Sequence, residues 1–531
     1  MLYLQGIFSC SLARRARRRR LAGRLIFCMK NLFNRKSIAQ LHKEVDGDNR
    51  LRRVLGPVQL TSLGIGCVIG AGIFVVTGQA AHDKAGPAIM LSFVVAGLAC
   101  VFAALCYAEF ASLVPVAGSA YTYAYATLGE LAAWIIGWDL LLEYTIASSA
   151  VAHGWSQYCQ DFLTTFLPRI PFAVSKTPFD YNPVLGRMVA TGAVVDLPAI
   201  LVTAALTVIL VRGIRGSARF NTVMVSIKLA VVLLVIAVGA FYVDPANWHP
   251  FAPFGYTGLS LFGKTLVGQT GAGGEPLGML AGAAIIFFAY IGFDSVSTQA
   301  EESRNPSRDI PIGILASLVI CTVLYIAVAA VLTGMIPYDK INIDAPVADA
   351  FRQKGLSWAH VIISGGAVVG ITSVLLVLML SQPRVMLAMA RDGLVPPAFF
   401  GAVHPRFRTP WLSQIVMGCF VSLMAGFLPL RILAELVNIG TLLAFVVVCA
   451  AVLVLRLTHP HAHRPFKAPW FPVVPLLGIG SALLLMFSLP KENWWRLFIW
   501  LLTGFVIYFF YGRRHSRLRS SLQKPPLPGE E

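Results

Sequence analysis

Apolar residues run in long blocks along this chain, separated by short polar segments. A helix needs about 20 apolar residues to cross a hydrocarbon core about 30 Å thick. Twelve stretches of that kind lie near residues 58–80, 87–114, 129–158, 193–212, 219–243, 277–299, 311–336, 359–390, 411–429, 432–456, 470–489 and 495–511. Several are interrupted by glycine or proline, which membrane helices tolerate when neighbours satisfy the freed backbone groups. The pattern predicts an all-α membrane protein of twelve transmembrane helices.

Composition excludes the alternatives. Of 531 residues, 57% are apolar and only 13% charged, and the mean hydropathy is +0.72. Soluble domains carry about 25% charged residues. An ordinary soluble enzyme and a disordered chain are both ruled out. The net charge of +18 first suggests a nucleic-acid partner, but its placement says otherwise. With the N-terminus inside, 31 of the 43 Lys and Arg residues fall in inside segments and 11 outside, leaving Lys228. Without the first 28 residues the inside count is still 24. Inside segments of membrane proteins are enriched in Lys and Arg, so both termini are expected in the cytoplasm and no nucleic acid is needed. The lipid bilayer is the expected surrounding, and no obligate protein partner is expected.

The first 56 residues read as a cytoplasmic tail. Arg14, Arg15 and Arg17 to Arg20 follow a short apolar stretch, the reverse of a signal peptide. Residues 1–28 read as an artefact of start-site choice with Met29 as the start; a nucleic-acid arm or lipid-binding patch is the alternative. The nine cysteines form no CxxC pair, and His459, His461 and His463 have no cysteine or carboxylate beside them. No metal site or cofactor is expected.

Two spans carry unusual chemistry. The first reads SLGIGCVIGAGIFVVTG, with glycines at 64, 66, 70 and 72. Glycine in a helix interior costs about 1 kcal/mol relative to alanine and frees the backbone. Close helix packing through Gly66 and Gly70 is one reading; the adjacent Ala71 and Gly72 favour the other, a helix broken at mid-membrane. The sixth span reads AGAAIIFFAYIGFDSVSTQAEES, in which Phe287, Phe288 and Tyr290 precede Gly292 and Asp294. An acid within a span usually faces a cavity or a partner. The two breaks are five spans apart, an odd shift that reverses direction across the membrane. Paired interrupted helices in matching halves point to an inverted-repeat transporter with its site at the midplane. The start of a half-helix offers free N–H groups that suit a carboxylate, and unwound carbonyls suit an ammonium. An α-amino acid has both. The aromatic cluster then walls the pocket, or simply fills the core.

Lys228 lies nine residues past Arg219, about 13 Å deep at the rise of a helix. Its stem is too short to reach water, so it is expected to face a cavity or pair with an acid. Buried lysines as a class give up a proton more easily, which suits a proton-coupled carrier. A static charge, or a tethered cation standing where a sodium ion would otherwise bind, is the other reading. Asp139 and Glu143, four apart on the third span, share one helix face and repel each other. Glu109 reads as a gate or loop anchor, and His153 as a core histidine.

The segments GIGCVIGAGIFVVTG, YAEFASLVPVAGSAYTYAYATLGELAAWIIGWDLLLEY, SARFNTVMVSIKLAVVLL, FFAYIGFDSVSTQAEESRNPSRDIPIGI and PRVMLAMARDGLVP together resemble the amino acid permeases of the APC superfamily, in the branch of cationic amino acid transporter-like proteins. The likeness runs from about residue 37 to about residue 512. It implies a LeuT-like fold: a 57–456 core of ten helices in a 5+5 inverted repeat, helices 11 and 12 over 457–512, and a cytoplasmic tail over 513–531. It implies that Ile69, Gly70, Ala71, Gly72 and Ile73 hold the substrate carboxylate through backbone amides. The carbonyls of Phe288, Ala289, Tyr290 and Ile291 would take the amine, with Phe288 and Ile291 lining the pocket. Lys228 corresponds to the family's fifth-helix lysine and Glu143 to a third-helix acid near it, which implies proton coupling; Asp294 joins them as a coupling or gating candidate.

The expected function is thus a secondary active transporter of the plasma membrane. It moves amino acids by alternating access with the proton as coupling ion. A proton-independent exchanger or uniporter, and a sensor with the same fold, are the alternatives. An enzyme would need a reactive constellation and a channel a filter or charge ring, and neither is present. Span eight, apolar through Leu378 and Met379 before Ser381, leans toward a small or apolar neutral substrate.

Overall fold

The structure is a computed structural model, and it describes residues 35–36, 55–113, 119–182, 187–213, 217–271, 274–407 and 409–519. The expectations for residues 1–28, and for Arg14 to Arg20 in particular, lie outside the described residues. Helices dominate. In chain order the main ones are α1 (Pro57–Val68), α2 (Ile89–Leu113), α3 (Ser119–Thr127), α4 (Glu130–Leu163), α5 (Leu197–Arg212), α6 (Ser217–Gly239), α7 (Met279–Ile286), α8 (Pro306–Met335), α9 (Pro346–Gln353), α10 (Ser357–Arg391), α11 (Trp411–Phe427), α12 (Leu430–Thr458), α13 (Val473–Ser488) and α14 (Lys491–Ile507). Each apolar stretch in the sequence coincides with one or more of them. Among the described residues, eight helical stretches are long and apolar enough to cross a membrane, accompanied by four shorter apolar helices.

Proline sets several helix starts. Pro57, Pro306 and Pro346 occupy the first turns of α1, α8 and α9, where a missing N–H costs nothing. α5 is started by Asp196, whose side chain accepts from the Ala199 N–H at 3.2 Å. The all-α expectation needs one amendment. The long connections after α4 and α6 carry three short antiparallel ladders, Phe179–Asn182 with Arg187–Ala190, Leu259–Leu261 with Lys264–Val267, and Gln269–Thr270 with Pro276–Leu277.

The distribution of polarity is that of a protein in lipid. Large apolar side chains face outward along the helices, among them Val223 and Leu233 on α6, Val319 and Val323 on α8, and Phe498 and Ile499 on α14. Inside are Glu109, Glu130, Asp139, Glu143, Lys228 and Asp294, all essentially fully buried. α4 and α10 run against each other through the middle, and α12 packs along α4. α1 and α2 pack on α8, and α5 on α11.

Buried charges tie the ends together. Glu109 on α2 accepts from Arg456 Nε at 2.8 Å and Nη2 at 2.5 Å, lies 3.4 Å from Arg464 Nε, and accepts from the Ala468 N–H at 2.9 Å. It is a loop anchor. Asp392 joins Lys36 at 2.6 Å and Tyr121 Oη at 2.5 Å. Glu130 accepts from Tyr508 Oη at 2.8 Å and from the Ser516 hydroxyl. Residues 513–519, placed by the sequence in a tail, are therefore packed against the bundle.

Candidate functional site

Two helices break, at the places their glycines indicated. α1 stops at Val68 because Ile69 turns extended, at φ −74° and ψ 102°. The helix resumes at Gly72 and continues to Ala85 in alternating wide and regular turns. The first N–H groups at any helix start have no partner inside it; here the first returning bond runs from the Phe74 N–H to the Gly70 carbonyl at 3.3 Å, so the N–H groups of Gly70 to Ile73 precede it. α7 tightens over Phe287–Tyr290, Ile291 turns extended, and Gly292 adopts φ +108° before a tight helix over Phe293–Glu302. A left-handed backbone is strained for any residue with a Cβ, so Gly292 permits the turn.

The breaks touch. A Cβ placed on Gly72 would sit 2.4 Å from the Ala289 Cα, and one on Gly292 would sit 3.2 Å from the Cys67 carbonyl oxygen. Ile69 to Ile73 and Phe288 to Ile291 are thus brought together, as expected. Their side chains are apolar apart from the Tyr290 hydroxyl, and all nine residues are buried. The aromatic cluster divides. Tyr290 turns away and donates to the Phe93 carbonyl at 2.8 Å, and Phe287 packs edge-on to Phe445 at 5.6 Å. These two fill the core, and Phe288 is buried beside them.

Lys228, fully buried on α6, donates to the carbonyls of Gly66 at 2.6 Å and Ile69 at 2.9 Å. Those carbonyls end α1, where the helix dipole is negative. The ammonium therefore caps the first half-helix at the break, and main-chain carbonyls, in place of an acid, take it up. Glu143 stands in different company, with Asp139 and Asp294 as its charged neighbours. Tyr144 Oη donates to Asp294 Oδ2 at 3.1 Å. Neither oxygen of Asp139 has a hydrogen-bond partner among the described residues. The coupling candidates thus form two groups, a lysine on the break and an acidic cluster below Gly292. His153 lies 3.0 Å from Asp196 at the start of α5.

Three stitching residues were not singled out from the sequence. Tyr325 on α8 bridges the breaks, its hydroxyl 2.7 Å from the Val68 carbonyl and 2.8 Å from that of Ala289. Tyr158 on α4 donates to the Phe74 carbonyl at 2.7 Å, and Asn438 on α12 donates to the Ala284 carbonyl at 2.8 Å. The available signal was a lone polar tip in an apolar span, which needs a partner in lipid. A Tyr325→Phe variant is expected to keep its packing and lose roughly tenfold in uptake rate, since a buried unpaired carbonyl costs about 1–3 kcal/mol. Initial-rate uptake in vesicles, normalised to protein content, measures this; an unchanged rate would remove Tyr325 from the site.

Two facing broken helices inside an apolar bundle, one capped by a buried lysine, are the apparatus of a membrane transporter. Comparison with known proteins agrees. Residues 55–511 match the family described as "Amino acid permease". The chain is 47% identical over 490 residues to the methylthioribose transporter of Bacillus subtilis (strain 168), covering 92% of this chain and 100% of that one. It is 47% identical over 489 residues to the branched-chain amino acid permease BcaP of the same organism, covering 92% and 99%. It is 38% identical over 434 residues to the vacuolar cationic amino acid transporter 4 of Arabidopsis thaliana, covering 81% and 68%. The chain belongs to the amino acid permease family. It is a multi-pass integral membrane protein that transports amino acids, and it is not an enzyme.

Proposed function

We propose that this protein is a proton-coupled importer of neutral, apolar amino acids, working by alternating access in a LeuT-like arrangement of twelve spans. Residues 57–456 form the 5+5 inverted repeat, 457–512 add helices 11 and 12, and both termini lie in the cytoplasm of a plasma membrane. The observation that carries the reading is the pair of touching breaks with Lys228 on the carbonyls of one of them. The N–H groups of Gly70 to Ile73 receive the carboxylate, and the carbonyls around Phe288 and Tyr290 receive the ammonium. The side chains of Ile69, Ile73, Phe288 and Ile291 favour an apolar substituent, and the nearby ammonium of Lys228 disfavours a cationic one. Alternating access moves the two half-helix pairs together. Lys228 and the cluster of Glu143 and Asp294 supply the groups through which a proton couples to that motion.

A second reading comes from the methylthioribose transporter, as similar to this chain as the branched-chain permease is. One experiment separates them. Proteoliposomes are given radiolabelled leucine, arginine or methylthioribose, with and without an inward proton gradient. Leucine uptake stimulated by the gradient is expected. Uptake of methylthioribose alone moves the substrate to the second reading, and uptake indifferent to the gradient leaves exchange or uniport. Absence of uptake under every condition would defeat the transporter assignment.

A further inference from the structure

Asp392, just past the end of α10, ties three segments of the chain together. Its carboxylate accepts from Lys36 Nζ at 2.6 Å and from Tyr121 Oη at 2.5 Å, and its carbonyl accepts from the Arg517 N–H at 3.0 Å. Each joined segment brings exposed arginine with it. Arg35 precedes Lys36, Arg391 precedes Asp392, and Arg514 and Arg517 belong to the segment that follows α14; all four are exposed. That last segment is seated on the bundle by its other residues. Ser516 and Leu518 are buried, the Ser516 hydroxyl donates to Glu130, and Arg519 Nε lies 3.6 Å from the same carboxylate. Inward and outward residues therefore alternate, and the backbone that carries Arg514 and Arg517 is held in place. The acids beneath are engaged, Asp392 by Lys36 and Tyr121, Glu130 by Tyr508, Ser516 and Arg519. Four arginines from three segments are thus gathered at one end of the bundle, a concentration of one sign of charge that attracts anions.

The lipid face runs directly into this cluster. α14 shows large apolar side chains to the outside, and the turn after it continues the pattern with Phe509 and Phe510, the latter 71% exposed. Arg514 follows Phe510 by four residues, about one helical turn, and so stands on the same side. A phenyl ring so exposed on a membrane-spanning helix belongs in hydrocarbon, which sets the arginine one turn further on at the depth of the headgroups. We propose that the arginines gathered around Asp392 form a docking surface for anionic phospholipid headgroups. The guanidinium groups take the phosphodiester in charge-assisted, two-pronged bonds, and the acyl chains lie along Phe509 and Phe510. Free phosphate has no part that meets the phenyl rings. The bonds that gather the arginines exist before lipid arrives, so docking requires little ordering. The surface is separate from the breaks and does not depend on which solute is carried.

Native mass spectrometry of the purified full chain in neutral detergent tests this, with phosphatidylglycerol and phosphatidylcholine as the probes. Wild type is expected to retain phosphatidylglycerol in preference to phosphatidylcholine. Arg514→Gln with Arg517→Gln, and independently Arg35→Gln with Arg391→Gln, should each weaken phosphatidylglycerol binding about thirtyfold, at about fivefold per arginine. Arg169→Gln with Lys264→Gln removes the same charge from exposed residues in the connections after α4 and α6, and should bind like wild type. The two arginine pairs lie on different segments, so a folding failure in one leaves the other as the test. Equal retention of both lipids by wild type would overturn the docking surface. So would undiminished phosphatidylglycerol binding by both variants, or the same loss in the control. Displacement of phosphatidylglycerol by inorganic phosphate at equal concentration would show a site for free phosphate and overturn the lipid assignment.

Discussion

Replacing Lys228 with alanine is expected to reduce gradient-driven accumulation in proteoliposomes to less than about one-tenth of wild type while leucine binding persists. The reason lies at the break. The Lys228 ammonium is fully buried and donates to the Gly66 and Ile69 carbonyls at 2.6 and 2.9 Å. Its nitrogen bonds the carbonyls where α1 stops, so a change in its protonation alters the hold on the first half-helix directly. A neutral side chain breaks that link. The N–H groups of Gly70 to Ile73, proposed to hold the carboxylate, are supplied by the other half-helix, and for that reason binding is expected to survive. Leaving a buried carbonyl unpaired costs about 1–3 kcal/mol, so alanine also loosens the break. Lys228→Gln separates the two effects, because its amide still donates and carries no titrating charge. Both variants should exchange labelled for unlabelled leucine and fail to concentrate it. Full accumulation by either would show that Lys228 is a structural cap with no part in coupling.

The second large effect is steric. Gly72→Ala should lower uptake by more than about a hundredfold, because the new methyl lies 2.4 Å from the Ala289 Cα. Side chains yield to such an overlap by changing rotamer; here the obstacle is backbone, so the two broken helices must separate. Overpacking alone costs about 1–3 kcal/mol, and parting the breaks also displaces the N–H and carbonyl groups of the proposed site. Gly480→Ala is the matched control, since nothing lies within 4 Å of a Cβ at that position, and it should transport like wild type. Size-exclusion profiles confirm that both variants remain folded. Normal uptake by Gly72→Ala would mean that the breaks do not need their present contact.

Much of this was legible before any fold was known, and the particular residues show why. The apolar blocks appear as helices because span length is a property of local sequence and bilayer thickness. The breaks at Ile69 to Gly72 and at Ile291 and Gly292 were legible because glycine acts on its own backbone. Glu109 was readable only as far as gate or anchor. Its partner Arg456 is 347 positions away, and no local pattern could choose between the two roles.

The chain's own order of residues therefore determined the helices, the orientation bias of the basic residues, the two interruptions and the presence of one deeply buried lysine. All of these follow from short-range terms: hydrophobic run length, glycine content and the distance of a charge from a span end. The tertiary structure alone decided the partners. It placed Lys228 on main-chain carbonyls 162 and 159 positions away and grouped Glu143 with Asp139 and Asp294. It also turned Tyr290 into the core and brought Tyr325 between the breaks. In lipid a buried polar group takes whichever partner the packing of distant helices presents, and that packing depends on all the helices at once.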